Sequence, residues 1–343
     1  MQIRHPYLLF LGDVSDRIGA KTAQGIVDWR RDWCLGQLRM LGCGADVGLP
    51  DMTVNEAAEA GARTLIIGVA NAGGVLPEQW TAPIIEALAS GLDVASGLHM
   101  KLAERPAVAD AAHRYGRKLF DVRQPGERFE TGKGVKQPGM RLLTVGTDCA
   151  VGKMYTALAL EREMRGRGFD ADFRATGQTG LFISGRGVAV DAVVADFISG
   201  AAEWLTPAAD PHHWDLIEGQ GSLFHPSFAG VTLGLLHGAQ ADAFVVCHDP
   251  SRKAIRGGTH PIPSIRQAID LTIRCGSLTN PAIRPAGISI NTSSMDEGSA
   301  RSYLDKLERE HELPAIDPIR FGAGPIVDAI AADFPETLPA RTS

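Results

Sequence analysis

Short apolar runs alternate with Ala- and Glu-rich stretches through the first third of the chain. "PYLLFLGDV", "RTLIIGVA", "LDVASGLH" and "KLFDVR" have the length and composition of buried strands. Between them, "TVNEAAEAGA", "TAPIIEALASG" and "ERPAVADAAHRYG" carry helical spacing and close on glycine. This alternation predicts a parallel sheet with crossover helices, a Rossmann-like domain over residues 1–123. Residues 124–140, "QPGERFETGKGVKQPGM", hold Gly, Pro and charge with little to bury, and read as a linker. A second α/β pattern opens at "RLLTVG" and continues through "FDADFRATG", "HWDLIEGQ", "AFVVCHD" and "AGISINTS" to about Phe321. The second domain is taken as residues 141–335, with a mainly parallel sheet. The tail "FPETLPARTS" is polar and is expected to fray.

One stretch carries chemistry. "LLTVGTDCAVGKMYTALALERE", Leu142 to Glu163, is a strand, a glycine loop and a helix in succession. Glycines let the backbone curl round an anion, successive N–H groups point into the curl, and the helix N-terminus adds positive potential. The loop Gly146, Thr147, Asp148, Cys149, Ala150, Val151, Gly152 and Lys153, with Met154 and Tyr155 on the first helical turn, is therefore expected to bind phosphates, and the domain to be P-loop NTPase-like. It departs from G-x-x-x-x-G-K-[ST] twice: one extra residue separates the glycines, and Met154 stands where the Ser or Thr would be. That hydroxyl normally holds Mg²⁺ against the β- and γ-phosphates, and a thioether is a poor ligand for a hard ion. Thr156 lies two residues on, about 200° round the helix, and is badly placed to replace it. The departure weakens the case for phosphoryl transfer more than the case for phosphate binding. Asp148 or Glu218 holding a metal instead is the competing reading. Cys149 is read as a small residue in a tight turn in preference to a nucleophile, because no Cys–His–carboxylate set is legible around it.

Composition narrows the setting. The chain has 343 residues, 44% hydrophobic and 22% charged, enough for two domains with substantial cores. A net charge of −6 offers no electrostatic case for nucleic acid. No stretch approaches the ~20 apolar residues of a membrane span, and the N-terminal apolar run is too short for a signal peptide. Five cysteines, scattered and without CxxC spacing, suit a reducing compartment. The expectation is a cytoplasmic protein with no resident metal.

"GTDCAVGK" resembles the loop of dethiobiotin synthetases, with the same spacing, and "ATGQTG", "DAVVADFISGAAE" and "DLIEGQGSL" sit where that superfamily has comparable segments. A second resemblance spans nearly the whole chain. "GDVSDRIGAKTAQGI", "GTDCAVGKM", "EGQGSLFHP" and "HDPSRK" are similar to a long-uncharacterised family that joins such a loop, Met included, to a Rossmann-like domain. Some of its members are D-glutamate N-acetyltransferases. The resemblance implies acetyl-CoA as acyl donor, with the loop holding its phosphates, and an acidic amino acid as the small-molecule substrate. The dethiobiotin synthetase resemblance implies a base-contacting Asn291, and relatives of this loop type imply a homodimer. A Mg·ATP-dependent ligase of the dethiobiotin synthetase type, or a non-catalytic nucleotide- or CoA-binding protein, remains the alternative.

Acetyl transfer needs a proton acceptor and cations for substrate carboxylates. Glu218, at a strand end, and His225 are candidates for the first, alongside Asp148 and Lys153 in the catalytic set. "CHDPSRKAIRGGTHPIP" concentrates His248, Arg252, Lys253, Arg256 and His260 after a strand and is a candidate for the second. In the first domain, Asp13, Lys21 and Thr22 are placed to shape a ligand site. "GDVSDRIG" lacks the G-x-G-x-x-G fingerprint, so a nicotinamide cofactor is not supported.

Overall fold

The computed structural model describes residues 3–17, 19–70, 74–124 and 127–338. The chain forms two compact units, the first from Met1–Glu127 and Gly177–Ala192, the second from Arg128–Thr176 and Val193–Ser343.

The first unit contains β1 (Tyr7–Gly12), α1 (Lys21–Arg30), β2 (Cys34–Arg39), α2 (Val54–Glu59), β3 (Thr64–Ile67), α3 (Thr81–Ala89), β4 (Asp93–Ser96), α4 (Pro106–Tyr115) and β5 (Leu119–Asp121). All pairings are parallel, in the order β2-β1-β3-β4-β5, as the strand–helix alternation predicts. Leu8, Phe10, Leu65, Ile67 and Val94 are fully buried and pack with Trp80 and Ile84. The helix signals are equally local. Thr53 and Glu56 form a capping box on α2, and α4 begins at Pro106 and ends at Gly116 in the left-handed region. α1 and β2 are absent from the sequence expectation. "CLGQLR" is a half-buried edge strand and "KTAQGIVDWR" a weakly apolar helix, so neither shows strong periodicity.

The second unit contains β6 (Met140–Gly146), α5 (Lys153–Gly166) and β7 (Ala171–Arg174). The chain then makes α6 (Gln178–Ser184) before α7 (Ile198–Leu205), β8 (Trp214–Ile217), α8 (Ala229–Ala239) and β9 (Ala243–His248). It closes with α9 (Ile265–Gly276), β10 (Arg284–Ile290), α10 (Glu297–His311), β11 (Ala315–Ile316) and α11 (Gly324–Asp333). Its sheet is also parallel throughout, in the order β11-β10-β9-β6-β8-β7. Residues 177–192, with α6, lie inside the sequence range of the second domain yet pack with the first unit. α6 contacts α1, Arg123 pairs with Asp191, and the Arg123 Nε donates to the Gly97 carbonyl at 2.8 Å. The start of the tail, Phe334 to Thr337, is more closely packed than its polar composition suggests. Phe334 meets Trp214 edge-on and lies under Arg284, and Thr337 is buried. The remainder of that tail, residues 339–343, lies outside the described residues. No helix among the described residues is long and apolar enough to cross a membrane.

Beneath β8, His213 is buried between two carboxylates, its Nε2 3.2 Å from Asp215 and its Nδ1 2.8 Å from Asp170. Asp215 also accepts from the Arg174 Nε at 2.5 Å. The bond to Asp215, then that to Asp170, raises the His213 pKa above its ordinary 6.5 against the opposing effect of burial. A histidine that binds its proton more tightly when folded contributes stability fully below the unfolded value, and that contribution fades as pH rises through the folded value. The melting-temperature gap between the parent and His213→Gln is therefore expected to be widest below about pH 6 and to narrow steadily in alkaline buffer. A gap that widens with pH contradicts this account.

Candidate functional site

β6 lies at the centre of the second sheet, between β9 and β8. Here strand order departs from chain order, and in open parallel sheets ligands settle at such a point, outside the carboxyl ends of the strands. Three loops meet there, those following β6, β8 and β9. The Thr147 Oγ1 lies 2.9 Å from the His248 Nδ1, the Ser222 Oγ donates to the Thr147 carbonyl at 3.1 Å, and the Gly219 N–H donates to the Thr144 Oγ1 at 2.9 Å.

The loop following β6 is closely packed. A Cβ on Gly146 would meet Val151, the Asp148 carbonyl and the Lys153 Nζ, and one on Gly219 would overlap the Thr144 carbonyl and press on the Lys153 side chain. Gly152 has φ +100°, which turns the chain into α5. Among the described residues, the main-chain N–H groups of Ala150, Val151, Gly152, Lys153 and Met154 have no acceptor. Such a run of amides at a helix start is an anion-binding concavity. Lys153 is buried and its Nζ donates to the Asp148 carbonyl at 2.8 Å. Burial pushes its pKa down, and the charges of Asp148 and Glu218 are among those opposing the shift. Thr156 turns into the sheet, where its hydroxyl donates to the Gly152 carbonyl at 3.0 Å and meets Ser289 at 2.7 Å, away from the Met154 position.

The basic segment that follows β9 is tied to this loop. Asp148 is fully buried, and its Oδ2 accepts from the Arg252 Nη1 and from the Arg256 main-chain N–H, both at 2.8 Å. Arg252 also donates to the carbonyls of Cys149 (2.6 Å) and Ala150 (2.8 Å). His225 is buried with both ring nitrogens engaged. Its Nδ1 accepts from the Ser227 N–H at 3.2 Å, so its Nε2 carries the proton donated to the Arg256 carbonyl at 2.9 Å. Asp148 and His225, 108 and 31 residues away along the chain, thus hold opposite sides of Arg256, a connection that no spacing in the sequence signals.

Asp148, Cys149 and His225 come together, each offering a ligand atom within 4.8 Å of the others. The sequence reading finds no such set around Cys149, because His225 arrives only through the fold. The three are nevertheless ill-suited to a cation. The Asp148 Oδ2 already has two donors, both His225 nitrogens are bonded to main chain, and Lys153 and Arg252 lie against the same loop. Nor is the Cys149 thiol activated. Burial raises its pKa, and the lowering effects of Lys153, Arg256 and Arg252 do not cancel the rise.

Glu218 is buried at the end of β8, where its Oε2 accepts from the Thr176 N–H at 2.9 Å. Asn291 follows β10 beside His248, its N–H donating to the His248 carbonyl at 3.0 Å, and its Oδ1 accepts from Ser293. Lys253, Arg256 and His260 are exposed, and Tyr155 is half-buried. In the first unit, Asp13 accepts from the Trp80 indole at 2.8 Å and from Gln79, which hold its carboxyl below the usual range, and Thr22 is buried against Thr179. Asn71, Ala72 and Gly73 of the "GVANAGGVLP" loop lie outside the described residues. A surface cleft of about 420 Å³ beside α10 is lined by Glu308, Glu312 and Asp328 with no cation, the wrong sign for phosphate.

A Rossmann-like unit and a P-loop unit, each built on a parallel sheet, define the class of protein. Residues 38–125 match the Rossmann-like domain, and residues 128–327 the P-loop domain, of the DUF1611 family, both described as domains of unknown function. The chain belongs to this family. It is 51% identical over 331 residues to a D-glutamate N-acetyltransferase of Tritonibacter scottomollicae, covering 96% of this chain and 99% of the relative. It is 50% identical over 335 residues to one from a Pseudoalteromonas species, covering 97% and 100%. A crystal structure of a DUF1611 family protein from Anabaena variabilis superposes with a TM-score of 0.86 at 30% identity, covering 96% of this chain and all of that one. The chain is an enzyme of the acyltransferase class.

The packing at Gly219 makes a direct test of the loop. Gly219→Ala is expected to destabilise the protein by about 3 kcal/mol in urea unfolding, because the new methyl group overlaps a strand carbonyl and cannot move aside. A loss below about 1 kcal/mol would show that the loop is softer than its packing indicates.

Proposed function

We propose that the enzyme transfers the acetyl group of acetyl-CoA to the amino nitrogen of D-glutamate, with the loop Gly146–Lys153 holding the coenzyme diphosphate. The observation that carries the choice of coenzyme is the first turn of α5. Unengaged amides and a buried lysine are present, but Met154 takes the place of the metal-binding hydroxyl and Thr156 points into the sheet. A diphosphate that stays intact needs the first two features and not the third. The relatives at 51% and 50% identity, both D-glutamate N-acetyltransferases, support the reaction and the substrate.

In this reaction the ammonium of D-glutamate gives one proton to solvent, the nitrogen lone pair attacks the thioester carbonyl, and the C–S bond breaks as a second proton leaves nitrogen for the departing thiolate, which is released as the coenzyme thiol. The residues of the loop bind and orient. Lys153 exchanges the Asp148 carbonyl for phosphate oxygens, and Arg252 keeps the carbonyls of Cys149 and Ala150 turned away from the anion. Asp148 and His225 act as positioning residues, since their polar atoms are engaged by the protein itself. Glu218, buried within the field of Lys153, balances its charge and fixes Thr176.

Purified enzyme is expected to release coenzyme A thiol from acetyl-CoA in the presence of D-glutamate, at a rate unchanged by a chelator of divalent ions. Lys153→Met should cut that rate by about a hundredfold or more and abolish the rise in melting temperature produced by coenzyme A, because the charge opposite the phosphates is gone. Mg²⁺-dependent release of ADP from ATP, with no thiol release, would overturn the proposal in favour of ligase chemistry.

A further inference from the structure

The residues following β9 form a small hairpin. The Ile255 N–H donates to the His260 carbonyl at 3.0 Å, the Ile262 N–H to the Lys253 carbonyl at 3.2 Å, and Ala254 bridges Pro261 in antiparallel sense. Its base is rigid. Ile255 is buried, and the peptide groups of Arg256 are held on one side by Asp148 and on the other by His225. The three cations of this hairpin differ sharply. Arg252 faces inward and is committed to Asp148, Cys149 and Ala150. Arg256 and Lys253 are exposed, and among the described residues their charged groups have no hydrogen-bond or ion-pair partner. The Arg256 guanidinium is close enough to the loop for its charge to act on Cys149.

Two exposed cations on one short hairpin, with Arg256 close to the anion loop, leave positive charge unbalanced there, and the loop's own lysine and amides already account for one diphosphate. The arrangement calls for a further anion close to the first. Substrate carboxylates do not meet that need. They must lie near the thioester, at the far end of a pantetheine arm about as long as four extended residues, or about 14 Å. A phosphate on the ribose next to the diphosphate does meet it.

We propose that Arg256, assisted by Lys253, recognises the 3′-phosphate of coenzyme A and makes the site selective for it over nucleotides and dephosphorylated coenzyme. This assignment rests on the coenzyme reading above and moves the hairpin from the amino acid to the acyl donor. Arg256 binds that phosphate through its guanidinium fork, Lys253 adds a second charge, and Arg252 stays with the loop.

The test compares coenzyme A with 3′-dephospho-coenzyme A, by calorimetric titration of the full-length protein and by KM and kcat of the two acetylated donors with D-glutamate. The parent is expected to bind coenzyme A at least about tenfold more tightly than the dephospho form, with kcat alike for the two donors. Arg256→Ala should raise Kd and KM for the phosphorylated form by about tenfold while leaving those of the dephospho form unchanged, so that the gap closes; Arg256→Lys should restore part of it. Equal affinity of the parent for both forms, or an equal loss on both in Arg256→Ala, overturns the assignment. Coenzyme A binding without thiol release would count against the acetyltransferase reading alone, and the Kd ratio would still decide the role of Arg256. Failure of coenzyme A to bind at all would remove both.

Discussion

Everything at the candidate site depends on one buried carboxylate. Asp148 is fully inaccessible to solvent, and such a charge is tolerated only where donors surround it. Here the donors come from its own loop and from a hairpin more than a hundred residues away: the Cys149 N–H, the Arg252 guanidinium and the Arg256 N–H. Removing one partner of a buried pair typically costs about 3–5 kcal/mol, so the loop and the hairpin are held as one piece. That pairing gives the amides of Ala150 to Met154 a fixed direction before any ligand arrives, and preorganised dipoles bind without the penalty of reordering.

The same constraint ties several chemically suggestive residues to the protein itself. Asp148, His225 and Arg252 have the side chains of an acid, a base and an anion binder. Each is engaged with main chain or with another of the three, and their geometry serves the loop's shape. Lys153 differs. Its ammonium is buried against the Asp148 carbonyl, and burial favours loss of its charge. Met154 beside it stands where phosphoryl-transfer enzymes of this loop type carry a metal-binding hydroxyl.

The architecture also links the acidic strand end to the chain's path. Glu218 accepts from the N–H of Thr176, the last residue of the second unit before the chain leaves to build α6 with the first. Residues 177–192 then bind the first unit through Arg123 and Asp191 and through α1. A parallel sheet tolerates such an excursion because its crossover connections run outside the strands and leave the hydrogen-bond ladder intact.

Much of this was legible in the sequence because it is local. Apolar runs of four to seven residues and closing glycines state where strands and helices lie, and the spacing of Gly146, Gly152 and Lys153 states where strand, glycine loop and helix follow one another. Met154 announces the departure from the usual loop by identity alone. The weakly periodic α1 and β2 escaped, because their burial is set by neighbours and not by their own composition. The pairing of Asp148 with Arg252, the grip of His225 on Arg256 and the transfer of residues 177–192 to the first unit belong to the tertiary structure. Each joins residues whose separation along the chain carries no period, and a buried charge finds its partner through the path of the whole chain.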